Sequence, residues 1–369
     1  MSSPPPPPHF RGIKSRLACL IGALGSALLP ALPARADGEN IAYEGDAPNG
    51  SLLKDKPSWW NSLYCGGRCL FPGEDADNPS ASDNTVTVDY VPTGGITNPR
   101  YVLGGLVNGG ISERNTVDFR NGRTDDEVYG GASYHGDSTS STATNNTVNI
   151  SGGTVGHNVY GGYADSPSAS ATDNTVIIRD NANIGNAYII QGGFASGGGD
   201  AYTGNTLHIR NWTGSTNATI SNFEIYRFTL SGNIDNDDPP VLTVNNLPTY
   251  GAGATLDIRT PGQYFLDQSS NTLAGDYVLL HKESGGQTLG DITTYSLYDH
   301  DFTSYALTLN TGRVRGDFTI SIGNSDKDLI LNVANYNAPN TTLTWTGTDG
   351  NNWTNYSTST IKSPANWIG

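Results

Sequence analysis

The residues able to do chemistry are few and scattered. His135-Gly136-Asp137-Ser138 contains a Gly-Asp-Ser tripeptide, a candidate esterase-type nucleophile. It lies in a Ser/Thr-rich connector and not after a strand in an α/β setting, so it reads as a solvated turn. Glu283-Ser284-Gly285-Gly286 lacks the Gly-Asp that would set up a serine nucleophile. His281, Asp299, His300 and Asp301 offer metal donors, but the two histidines are 19 residues apart and nothing fixes their geometry. They are expected to be surface residues. Gly197-Gly198-Gly199-Asp200 is a single copy of a glycine-rich calcium pattern that works in tandem. Arg315-Gly316-Asp317 is an adhesive tripeptide, and the strand-like run from Phe318 places it in a turn. The expectation is therefore no catalytic residue, no metal site and no cofactor.

Cys65 and Cys69 enclose Gly66-Gly67-Arg68. A metal site would want more ligands, and no histidine is near. A dithiol redox site would want two intervening residues. In an exported chain the pair predicts a small disulfide loop.

The elements that would hold any site repeat along the chain. Residues 146–164 read NTVNISGGTVGHNVYGGYA. Thr147, Val148, Asn149 and Ile150 alternate as a half-buried strand does. Gly152-Gly153 then reads as a corner, Val159-Tyr160 as a second strand and Gly161-Gly162 as a second corner. Asn84, Asn115, Asn146, Asn174 and Asn205 open the units, at steps of 31, 31, 28 and 31 residues. Gly104, Gly130, Gly161 and Gly192 mark the second corner, at steps of 26, 31 and 31. Such self-similarity, with no 3.6-residue pattern between, predicts an all-β parallel solenoid of about 31-residue repeats. Val148, Ile150, Val176 and Ile178 should face inward, and Thr147, Asn149 and Ile177 outward. The Asn and Thr positions are placed for hydrogen-bonded ladders at the corners. The polar connectors, such as 135–144 and 165–172, should be surface loops.

Residues 1–36 read as an export signal: Arg11, Lys14 and Arg16, an apolar run over 17–29, then Ala34-Arg35-Ala36, with cleavage between Ala36 and Asp37. Beyond it 16 basic residues face 35 acidic ones, a balance of −19. Such a surface repels nucleic acid and anionic lipid. Residues 37–83 form a cap region with the cysteine pair. Residues 84–222 are the regular array, 223–338 an irregular continuation of the β-helix, and 339–369 a segment punctuated by Trp345, Trp353 and Trp367. A kelch-like propeller is disfavoured, because its blades run nearer 50 residues and put a tryptophan after the glycines.

The signal, the NTVxIxGG…VYGGYA repeats, the run Gly275-Asp276-Tyr277-Val278-Leu279-Leu280 and the closing Trp345-x-Gly347…Asn352-Trp353…Asn366-Trp367 pattern resemble the passenger region of a Gram-negative autotransporter. The resemblance covers 37–369. It implies a right-handed parallel β-helix acting as an adhesin or structural surface rod, with a host surface or matrix ligand. It also implies a C-terminal membrane β-barrel translocator. Barrel strands are missing from the sequence, so 339–369 reads as truncated. The chain is expected to reach the periplasm, and the surface only if a barrel is supplied. The alternatives are a β-helix enzyme, such as a polysaccharide lyase or esterase, and a non-functional fragment.

Overall fold

The structure is a computed structural model. It describes residues 38–44, 54–55, 68–70, 80–93, 98–134, 140–229, 240–244, 253–259, 275–283, 289, 292, 294–297, 300–302, 306–310, 315–334, 344–345 and 367–368. Of these, 54–55, 68–70, 294–297, 300–302, 306–310, 315–318, 334, 344–345 and 367–368 are described by their backbone alone. All belong to the unit Arg35–Gly369. Among the described residues no helix is long and apolar enough to cross a membrane.

The chain forms a parallel β-solenoid of about 5 turns at a spacing near 31 residues. Its first face stacks Asn40–Tyr43, Thr85–Val88, Thr116–Phe119, Thr147–Ile150, Thr175–Arg179, Thr206–Arg210, Ile225–Thr229, Thr255–Arg259 and Thr294–Leu297, each parallel to the next. The Thr-Val-x-Ile alternation decides which side is buried. Val148 pairs with Val176 and Ile150 with Ile178, and all four are fully buried in one continuous column. Thr147, Asn149 and Ile177 are half-buried on the outside. Asn149 there bridges Asp118 at 2.8 Å and Arg179 at 2.9 Å.

Five consecutive strands of this face, from Thr85–Val88 to Thr206–Arg210, are entered through a left-handed residue. Asp83, Arg114, Asn145 and Asp173 have φ of 60°, 52°, 56° and 58°, and Gly204 has φ 71°. Asp, Asn and Gly tolerate that conformation at little cost. Arg114 is the misfit. It sits in ion pairs with Asp83 at 2.7 Å and Glu113 at 2.6 Å, and its hydrogen bond holds the Asp83 carboxyl below the ordinary range. The next residue is the repeat asparagine. Asn84, Asn115, Asn146, Asn174 and Asn205 are all completely buried and linked into a ladder.

The second face stacks Tyr101–Leu103, Val128–Tyr134, Val159–Asp165, Ile189–Ala195 and Thr219–Ser221. The glycine pairs differ here from the expectation. Gly153 is a corner, with φ 70°. Gly130-Gly131 and Gly161-Gly162 instead lie inside strands, with no positive φ. They are glycine because there is no room. A Cβ on Gly130 would stand 2.3 Å from the Gly161 carbonyl oxygen, and one on Gly131 2.5 Å from Asn146 Oδ1.

The connectors expected as surface loops include strands of a third face. Ser80–Ser82, Gly110–Glu113, Ser141–Thr144 and Ala169–Thr172 form a parallel sheet whose inward residues are small: Ser112, Ser141, Ala143 and Ala171 are buried. Small side chains let this wall approach the other two, so it needs no apolar run. Past residue 222 the first face continues, while a second stack that begins at Gly214–Thr216 runs on through Leu242–Val244 and Gly275–Lys282. The parallel order then ends. Gly275–Lys282 pairs antiparallel with Asp328–Ala334, followed by Arg315–Gly323 and Ala306–Asn310. Among the described residues past 222, parallel strands thus give way to an antiparallel meander.

Candidate functional site

The outward side of the second face concentrates aromatic and titratable groups. Parallel in-register pairing puts like residues one above another about 4.8 Å apart. Tyr129 therefore lies on Tyr160, ring centroids 5.1 Å apart and 12° from parallel. Tyr163 lies on Phe194 at 4.6 Å and 12°. On the other side Tyr163 is in register with Ala132, which has no ring, and Tyr134 stacks on it instead at 5.2 Å. Edge-to-face contacts of 5.5 Å and 5.4 Å tie Tyr163 to Tyr129 and Tyr160. Tyr134, Tyr163 and Phe194 form the half-buried outer row, and Tyr129 and Tyr160 the buried inner one. Burial pushes the Tyr129, Tyr160 and Tyr163 phenols upward.

The edge of this face, two residues before the inward valines, holds the charges. Arg100, Asp126, His157 and Tyr188 share one column: the His157 N–H donates to the Asp126 carbonyl and the Tyr188 N–H to that of His157, both at 3.1 Å. Glu127 and Asn158 share the neighbouring column. Arg100 binds Asp126 Oδ2 at 2.8 Å. The Tyr129 hydroxyl donates to Glu127 Oε2, and Asn158 Nδ2 donates to Glu127 Oε1 at 2.6 Å. Burial raises the Glu127 carboxyl despite those two donors. His157 Nδ1 faces Asp126 Oδ1 at 3.7 Å and Glu127 Oε1 at 3.8 Å. Among the described residues, Asp126, Glu127 and His157 bring their ligand atoms within 4.8 Å of one another.

The residues singled out from sequence are not brought together. Residues 135–138, Ala36, Asp37 and Cys65 lie outside the described residues. Cys69 is described by its backbone, opposite Lys54 in an antiparallel pair and beside Tyr101 in a parallel one. His281 pairs with Asp328, whereas His300 and Asp301 belong to another sheet. Gly197 and Gly198 shape a turn, and Asp200 Oδ1 accepts the Tyr202 and Thr203 N–H groups at 2.9 and 3.0 Å. Arg315-Gly316-Asp317 is not in a turn. It opens a strand, opposite Asn310, Leu309 and Thr308 in an antiparallel pair. Asp126, Glu127 and His157 escaped the reading. Stacking the repeats at 31 residues would have set Asp126-Glu127 on His157-Asn158.

Comparison with known proteins gives no relative: no family model, no curated protein and no solved structure matches the chain.

Proposed function

We propose that this chain is an exported, passenger-type solenoid that works by adhesion and not by catalysis. The observation supporting this reading is the two-row aromatic ladder on the outside of one face. It presents a strip of stacked aromatic rings, edge outward at a fixed repeat, on a scaffold that needs no rearrangement to bind, and little ordering cost then opposes binding. Aromatic contacts of this kind contribute about 0.5–1.5 kcal/mol each, so a long ligand lying along several rungs gains affinity additively. The acidic surface beyond residue 36 favours a neutral or basic host surface or matrix ligand. The basic, apolar and Ala-x-Ala pattern of 1–36 supports export, and surface display would take a membrane β-barrel translocator. A structural rod is the second reading, supported by the buried asparagine ladder that runs through five turns.

Purified chain would be applied to immobilised matrix proteins and neutral glycans, beside Tyr163→Ser and Phe194→Ser variants. Adhesion requires retention by wild type, at least about tenfold weaker retention by the variants, and circular dichroism showing the variants folded at the assay temperature. No retention on any surface favours the rod. Turnover of a glycan or ester would overturn the reading.

A further inference from the structure

We propose that Asp126, Glu127 and His157 form a binding site for one divalent cation of the zinc class, on the edge of the aromatic face. Three observations converge on it. The first is spacing. Two donors bound at 2.0–2.1 Å with a tetrahedral angle between them stand about 3.4 Å apart. His157 Nδ1 lies 3.7 Å and 3.8 Å from the two carboxylates, too far for a hydrogen bond and close to that edge length. A small closing rotation of the side chains brings all three onto one ion.

The second is the state of the donors. His157 Nδ1 is itself buried and has no hydrogen-bond partner, although the ring's other side is open to solvent. Asn158, only 5% exposed, also has an unpartnered oxygen, and the Nδ2 of the same amide touches Glu127 Oε1 at 2.6 Å. A half-turn of that amide exchanges its oxygen and nitrogen. Without a cation the nitrogen faces the carboxylate; with one, the oxygen becomes a neutral fourth donor. One imidazole with oxygen donors suits zinc and its first-row neighbours better than calcium, which takes oxygen alone.

The third is support and charge. Arg100 fixes the far oxygen of Asp126 and Tyr129 that of Glu127, as outer groups hold the ligands of metal sites. Tyr188 packs on the His157 ring at 4.5 Å. Asp125, Asp126 and Glu127 meet two guanidiniums, Arg100 on Asp126 and Arg123 on Asp125, which leaves one negative charge for a cation.

The test uses the full chain without an affinity tag, stripped by chelator and titrated with zinc chloride in a calorimeter. One zinc per chain is expected. His157→Ala, which alters a half-exposed side chain, should weaken binding by about 100-fold or more, and Asn158→Leu by about tenfold. Both should be read beside circular-dichroism melts without zinc. Cobalt should give visible bands that disappear in His157→Ala. Absence of zinc uptake, unchanged affinity in a folded His157→Ala chain, or calcium binding as tight as zinc would each overturn the proposal.

Discussion

Asn146 Oδ1 accepts two hydrogen bonds from Asn115, one from its backbone N–H and one from its side-chain Nδ2, each at 3.0 Å. Asn146 in turn gives its own N–H and Nδ2 to Asn174 Oδ1, at 3.0 and 3.1 Å. The second Nδ2 hydrogen goes to the Ser112 carbonyl at 3.0 Å. One amide therefore satisfies a main-chain donor that the left-handed corner leaves unpaired, and passes the same arrangement to the next rung. The ladder ends at Asn205, whose N–H turns to Tyr202 and whose place one rung on is taken by Glu224.

Removing one rung of this ladder should be costly. Asn146→Leu leaves the Asn115 N–H buried and unpaired, while the Ser112 carbonyl keeps its place in the parallel ladder with Ser141–Thr144. At about 1–3 kcal/mol for a buried orphan group, a loss of about 1–3 kcal/mol is expected in urea unfolding. Asn149→Leu, one turn of alternation away on the outer surface, should cost less than about 1 kcal/mol. Equal effects at the two positions would show that the ladder does not hold the corner.

The in-strand glycines make a second contrast. Gly130→Ala places its methyl 2.3 Å from the backbone oxygen of Gly161. Neither backbone can swing aside as a side chain would, so the rungs must separate. Overpacking of this kind should cost about 1–3 kcal/mol. Gly185→Ala meets nothing nearer than 3.6 Å and needs no positive φ. It should leave stability unchanged or raise it by up to about 1 kcal/mol, through the unfolded state. Thermal melts of the two variants decide the matter.

What was legible in the sequence follows from contrast. Val148 and Ile150 stand between polar neighbours, so period-two alternation fixed their side, and both are fully buried. Asn115 and Asn146 were visible as a spacing before any contact was known. Ser141-Thr142-Ala143-Thr144 carries no such contrast: its inward residues are Ser and Ala, its outward ones Thr, and a strand of small residues looks like a loop. Gly130 was misread because a glycine excluded by crowding and a glycine chosen for positive φ are the same letter. Asp126 and His157 were unreadable one at a time. They are 31 residues apart, and their meeting is a property of the stack.

The cysteine pair is expected to be oxidised after export. Cys69 lies in a strand that pairs with both Lys54 and the second face at Tyr101, so a bridge to Cys65 would pin the chain entering that strand. So short a loop gains little, about 2 kcal/mol on the chain-entropy picture. Mass spectrometry of chain recovered from the periplasm and alkylated without reduction should show neither Cys65 nor Cys69 modified. Two alkylated thiols would refute the bridge.

His208 should give the fold a weakness on the acid side. It occupies the outward column of the first face, in register with Ile177 and Arg227. Its Nε2 contacts Thr229 Oγ1 at 2.8 Å. Burial, then the positive charges of Arg227, Arg210 and Arg259, depress its pKa from 6.5 to about 4, and Asp257 opposes them. The unfolded chain therefore binds a proton between pH 6.5 and 4 that the folded chain refuses. Stability then falls as pH drops through that window and no further below it. The group is partly exposed, so solvent screening trims the loss to about 2 kcal/mol. Neighbouring carboxylates titrate in the same range, and the difference between wild type and His208→Ile isolates the histidine. Isoleucine is already the residue one rung below, so the variant should fold. Wild type and variant should diverge from pH 7 to 4, with wild type losing more. Parallel curves across that window would show that His208 is as easily protonated in the folded chain as in the unfolded one.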